Sequence, residues 1–155
     1  MDICPFCATY KGLSSAAGGM LYEDDLVYAY HASQDEGTSY LGRLLLVPKR
    51  HALGFADLTE AEGQAIGLSM TRLSKALTAC TGAEKVYVEA YYEVHPHLHL
   101  MLTARYPGTP RKYWRWTVGD WPEAPMGGPE AMTALCAQLR AYLAQTALES
   151  VKAKV

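Results

Sequence analysis

The chain has 155 residues, 50% hydrophobic and 19% charged, with 14 Lys and Arg against 16 Asp and Glu for a formal net charge of −2. That length holds one domain with a real core and is short for two, the composition is globular rather than disordered, and the charge balance argues against bulk nucleic-acid binding. No apolar run reaches the roughly 20 residues of a membrane span, and Met1-Asp2-Ile3-Cys4 does not open a secretory signal. A cytoplasmic, reducing setting is therefore expected, in which the four cysteines read as thiols or metal ligands before disulfides.

In chain order, residues 1–19 are expected to be irregular, ending in the flexible Ala16-Ala17-Gly18-Gly19. Met20-Leu21-Tyr22 and Leu26-Val27-Tyr28-Ala29-Tyr30 are β-type runs joined by Glu23-Asp24-Asp25, a hairpin. Asp35-Glu36-Gly37 begins a polar loop. Arg43-Leu44-Leu45-Leu46-Val47, stopped by Pro48, reads as a buried central strand. Thr59 with Glu62 fits a capping box that opens a long helix. Ile66, Met70, Leu73 and Leu77 recur along it, and Gly82 can end it in a left-handed conformation. Strands follow at Val86–Tyr91 and at about His97–Ala104. Residues 105–128 read as a long ordered loop of aromatic residues among prolines and glycines. Pro129 starts a last helix, about 129–150, with Met132, Leu135, Leu139 and Tyr142 as its buried stripe. The predicted class is α+β, a mostly antiparallel sheet with two main helices in one domain over 1–155.

Three of the five histidines fall in His95-Pro96-His97-Leu98-His99. On a strand, alternate residues share a face, so His95, His97, His99 and Met101 point one way and Leu98, Leu100 and Leu102 the other, into the core. Pro96 limits pairing at the start. Clustered imidazoles suit metal binding or nucleophilic and acid–base chemistry. The plain alternative is a solvated face, which usually mixes Lys, Glu and Thr.

Several stretches together resemble the histidine-triad nucleotide hydrolases and transferases: Cys4-Pro5-Phe6-Cys7, Leu21-Tyr22-Glu23-Asp24-Asp25, Ala29-Tyr30-His31, Leu46-Val47-Pro48-Lys49-Arg50-His51 and Pro96-His97-Leu98-His99. The resemblance implies an antiparallel sheet of about five strands, usually in a homodimer. It also implies that the middle histidine of His-φ-His-φ-His attacks the α-phosphate of a nucleotide or related phosphate compound, forming a nucleotidyl-histidine. Two registers are open. Either His95, His97 and His99 form the triad with His97 as nucleophile, or His97 and His99 are followed by Met101, with His99 as nucleophile. The second is preferred, because it places Arg105-Tyr106 where the family often has Pro-Arg-Tyr. It also puts a methionine, which donates no proton, in the third position, and so favours leaving groups that depart as anions.

The resemblance further implies substrate contacts at Tyr30, His31, Met101 and Arg105, and a structural zinc ion held by Cys4, Cys7, His51 and His97 (His95 in the first register). Two reduced thiols packed with Phe6, or a redox dithiol, are the alternatives. Cys80 and Cys136 read as core. The family's ribose-binding carboxylate is replaced by Ala32, with Asp35 or Glu36 as possible substitutes. The polar residues before the triad are replaced by Tyr91 and Tyr92, or by Glu93 and Val94 in the second register. Lys49, Arg50, Arg105, Arg111, Lys112 and Arg115 are candidates to meet a polyphosphate. Tyr113, Trp114, Trp116 and Trp121 stack a base or form a second small core or a dimer contact.

Overall fold

Alternating apolar residues build a sheet with one face under helices and the other free for chemistry. Its strands are β1 (Met20–Glu23), β2 (Val27–His31), β4 (Arg43–Pro48), β5 (Lys85–Glu89) and β6 (Leu100–Arg105). They lie in the order β1-β2-β4-β6-β5, each neighbouring pair antiparallel. A short ribbon pairs β3 (Ser39–Tyr40) with β7 (Met126–Gly127). The computed structural model describes residues 4–33 and 37–152, and side chains up to 149, so Asp35 and Glu36 lie outside the described residues. The expected α+β class and antiparallel sheet are observed.

Helices α2 (Glu60–Thr81) and α3 (Pro129–Lys152) cover one face. There Val27, Ala29, Leu44, Leu46, Leu100 and Leu102 meet Ile66, Leu73, Leu77, Met132 and Leu139 in one buried core that also takes Cys136. Truncating one of these leucines to alanine costs roughly 2–5 kcal/mol. Cys80 packs against the same core half-buried. On the opposite face a smaller cluster joins Phe6, Tyr28 and Val47, with Cys4, Tyr30 and Leu45 against it.

The structure corrects several expectations. Residues 5–10 are helical: α1 (Pro5–Tyr10) starts with Pro5 in its first turn and lies across the open face, where the Tyr28 hydroxyl donates to the Phe6 carbonyl at 2.7 Å. β5 ends at Glu89, two residues short of Tyr91. β6 begins at Leu100 rather than His97. The backbone is diverted before it, since His97 N–H donates to His95 O (2.7 Å) and Leu98 N–H to Ala52 O (2.7 Å). The aromatic loop contains two 3-10 turns, Arg111–Tyr113 and Arg115–Asp120, besides β7.

The predicted capping box is present. The Thr59 hydroxyl accepts from Glu62 N–H at 3.2 Å, and the Glu62 carboxylate accepts from Thr59 N–H at 2.8 Å. Gly82 closes the helix at φ 69°. Glu62 also takes both arms of Arg50, at 2.8 and 2.7 Å, so the loop leaving β4 is riveted to the start of α2. These bonds, the Arg50 pair foremost, hold the Glu62 carboxyl down to about 2. A depressed carboxyl gives stability that is present above its ordinary value and lost as pH falls through the folded value. Chemical denaturation between pH 5 and about 2 is therefore expected to lose stability with a steeper slope in the native chain than in Glu62→Gln, which has no proton to take up there.

Candidate metal centre and active site

His97 is fully buried where the two arms of the fold meet. Its Nε2–H donates to the Pro48 carbonyl at the end of β4, at 2.9 Å. A carbonyl only accepts, so the proton sits on Nε2 and the Nδ1 lone pair is free. That lone pair faces two thiols: Cys4 Sγ at 3.4 Å and Cys7 Sγ at 3.5 Å. His51 Nδ1 lies 3.3 Å from Cys7 Sγ, and the four donor atoms are all within 4.8 Å of one another. A tetrahedral zinc with ordinary Zn–S and Zn–N bonds separates its sulfur and nitrogen donors by about 3.6 Å. The donor set, the spacing and the carbonyl-oriented imidazole all fit a structural zinc with four protein ligands. Burial pushes the His97 imidazole toward its neutral, ligating form. Burial, then the adjacent Cys4, push the Cys7 thiol up, opposite to the shift a redox dithiol needs.

The helix carrying both cysteines brings Phe6 over the histidine segment. Its ring centroid is 6.1 Å from that of His95, 5.6 Å from His97 and 4.4 Å from His99, the last tilted by 31°. The three histidines thus converge on one phenyl ring although none lies in a regular strand. His99 is half-buried, and its Nδ1–H donates to the His97 carbonyl at 2.8 Å. The proton is therefore on Nδ1 and the Nε2 lone pair is uncommitted. His95 is exposed and stands outside the sheet.

Two cross-strand rows continue the open face beyond His99. Tyr30, Leu45 and Met101 are ladder partners across β2, β4 and β6. In the next row Arg43 faces Thr103, and its carbonyl accepts from Ala32 N–H at 2.8 Å. Ala32, Arg43 and Met101 line a cavity of about 280 Å³ with Ser33, Tyr40, Trp116 and Asp120. Of the residues expected to contact substrate, Tyr30 and Met101 share the face of His99.

His31 does not. It is fully buried on the helix side, with Nδ1–H donating to Ala32 O at 2.7 Å and Nε2 accepting from Gly42 N–H at 2.9 Å. Burial holds it neutral, and it fixes the turn into β4. Arg105 is also buried. It pairs with Glu84 at 3.2 Å and lies 4.2 Å from the Trp114 ring centroid.

Several of the other expected phosphate contacts have partners within the fold. Lys49 pairs with Glu23 at 2.8 Å and Arg50 with Glu62, while Lys112 rests on the Tyr113 ring. Arg111 and Arg115 are exposed and do not line the cavity. Of the aromatic loop residues, Trp116 reaches the cavity, and Trp114 covers Arg105 instead. Tyr92 packs against Phe55, while Glu93 and Val94 are exposed. The cation that does line the cavity is Arg43, the first residue of the apolar run Arg43–Val47. Its signal in the sequence is a guanidinium at a position whose alternate neighbours are sheet-facing leucines.

No family model and no curated protein matches the chain. Solved structures do. A hypothetical histidine-triad nucleotide-binding protein from Sulfolobus tokodaii superposes with a TM-score of 0.70 at 17% identity, covering 92% of this chain and 93% of its own. A zinc-bound histidine-triad family protein from Mycobacterium smegmatis gives 0.67 at 20% identity, over 96% of each chain. A histidine-triad protein from Bradyrhizobium japonicum gives 0.63 at 22%, over 80% and 89%. These superpositions, over most of each chain at 17–22% identity, show that this chain has the histidine-triad fold, far in sequence from these three.

Proposed function

We propose that the chain is a nucleotide phosphoanhydride hydrolase or nucleotidyltransferase that works through His99. The observation that carries this is the His99 Nδ1–H bond to the His97 carbonyl, which makes Nε2 the lone-pair nitrogen of the neutral ring and orients it on the open face. His97 is a poor alternative, because Pro48 and the thiols occupy both its nitrogens.

In this reading Nε2 of His99 attacks the α-phosphorus, the bond to the bridging oxygen breaks, and a nucleotidyl-histidine forms. Water or another acceptor then attacks phosphorus, and the imidazole recovers its lone pair. Phe6 stacks on the ring and limits its rotation, so the nucleophile is pre-oriented. Zinc at Cys4, Cys7, His51 and His97 is structural, since four protein ligands leave no open position. Bound there it would hold α1, and with it Phe6, against the histidine segment. Met101 supplies no proton, which favours leaving groups that depart as anions, such as phosphate or polyphosphate. A dinucleoside polyphosphate or a simpler nucleotide phosphoanhydride fits that requirement. The same methionine favours a second reading, a non-catalytic nucleotide- or phosphate-binding protein. A homodimer belongs to the first reading.

Incubation with labelled diadenosine tetraphosphate and quenching without acid is expected to leave an adenylyl adduct on His99. His99→Asn should lose adduct and turnover by roughly a thousandfold or more; binding without any adduct in the native chain would establish the second reading. Met101→His is expected to raise turnover of nucleoside phosphoramidates by about a hundredfold, because their amine leaving group needs the proton that an imidazole supplies. Metal analysis of protein purified without chelator should give one zinc per chain. Its removal is expected to lower the melting temperature by on the order of 10 °C and to free Cys4 and Cys7 for alkylation. His97→Asn should reproduce that loss of metal.

A further inference from the structure

Met101 leaves the departing oxygen without a proton donor, yet the cavity it lines carries a guanidinium, with the Asp120 carboxylate elsewhere on its lining and no ion pair joining the two. Arg43 enters it from β4. Its guanidinium carbon lies 5.3 Å from the centroid of the Tyr40 ring, and its Nε is buried with no hydrogen-bond partner. Thr103 stands opposite Arg43 in the ladder, and directly opposed residues of an antiparallel pair project to the same side. Thr103 is 2% exposed, and its Oγ1 is also unpartnered. Arg43 Nε and Thr103 Oγ1 thus both lack a protein partner at directly opposed ladder positions, and Arg43 is the one of the two that lines the cavity. No ion pair among the described residues engages Arg43.

The backbone that places Arg43 is itself fixed. Gly42, at φ +88°, has its N–H held by His31 Nε2 at 2.9 Å, and a Cβ there would approach the Ala104 Cβ to 3.1 Å.

We infer that Arg43, with Thr103 opposite it in the ladder, is an anion subsite for the phosphate-bearing leaving group of the substrate. This rests on the reading of His99 as nucleophile. As the Nε2–P bond forms, the P–O bond to the leaving phosphate breaks and its oxygen keeps the electron pair. The guanidinium takes up that negative charge, and no proton moves. In the second half, water oxygen bonds to phosphorus, the N–P bond breaks and its electrons return to Nε2. One water proton goes to solvent and the other stays on the nucleotide. The net reaction is a phosphoanhydride and water giving a nucleotide and a phosphate. Fixed positive charge thus selects phosphoanhydrides over esters and amidates, whose leaving groups carry no phosphate for the guanidinium to hold.

The test compares kcat/KM for ADP with that for a nucleoside 5′-(4-nitrophenyl) phosphate, whose aryl leaving group also departs without a proton. Arg43→Gln is expected to lower the ratio of the two by about tenfold or more, and Arg43→Lys, which keeps the charge, by less. Circular dichroism and melting temperature identify any variant that fails to fold, and Thr103→Val then supplies the same comparison with a smaller expected fall. An unchanged ratio in folded variants, with His99→Asn abolishing both activities, overturns the Arg43 assignment and leaves the nucleophile standing. If the native chain turns over neither substrate, the nucleophile reading fails. Calorimetric titration with inorganic pyrophosphate then decides the subsite alone: weaker binding by Arg43→Gln supports it, and equal affinity overturns it.

Discussion

One imidazole with both nitrogens committed holds this molecule together. His97 gives its Nε2 proton to the end of the central strand and turns Nδ1 toward two thiols from the first helix. The amino-terminal segment has few apolar residues with which to hold itself on the sheet. A bound zinc ion on the four-donor cluster would do this by coordination, where a larger core would otherwise be needed. Because Phe6 lies between the two cysteines, whatever clamps them also presses a phenyl ring onto His99. The metal centre and the proposed nucleophile are therefore consecutive links in one chain of contacts.

The two faces of the sheet divide the work. Leucines and alanines on one side bury against α2 and α3 and supply most of the hydrophobic stabilisation. The other side carries His99, Met101 and Thr103 in succession along β6 or just before it, with Arg43 across the ladder. Rigid strands set these spacings better than loops would. His31, one of the residues expected to contact substrate, is buried and points to the helix side. There it fixes the turn that delivers Arg43.

Charge is handled in the same economical way. Lys49, Arg50 and Arg105 each have a carboxylate partner and serve the fold. Arg43 has none among the described residues, and it is the cation beside the cavity. In the proposed reading, Met101 at the third position of the histidine run donates no proton and the Arg43 guanidinium stands beside the cavity, the combination expected for a leaving group that departs as an anion.

Local periodicity and end signals were legible without coordinates: the capping box at Thr59 and Glu62, the left-handed stop at Gly82, and the leucines of β4 and β6 that alternate into the core. These depend on neighbours within a few residues, so spacing alone reveals them. The zinc ligands were legible only through resemblance, since Cys4 and His97 are 93 residues apart and nothing local couples them. Which histidine keeps a free nitrogen was a tertiary matter. It depends on where the carbonyls of Pro48 and His97 stand, and a sequence does not display hydrogen-bond partners. The same holds for Arg43, Lys49 and Arg50, since folding alone decides which cations find carboxylates and which one is left facing a cavity.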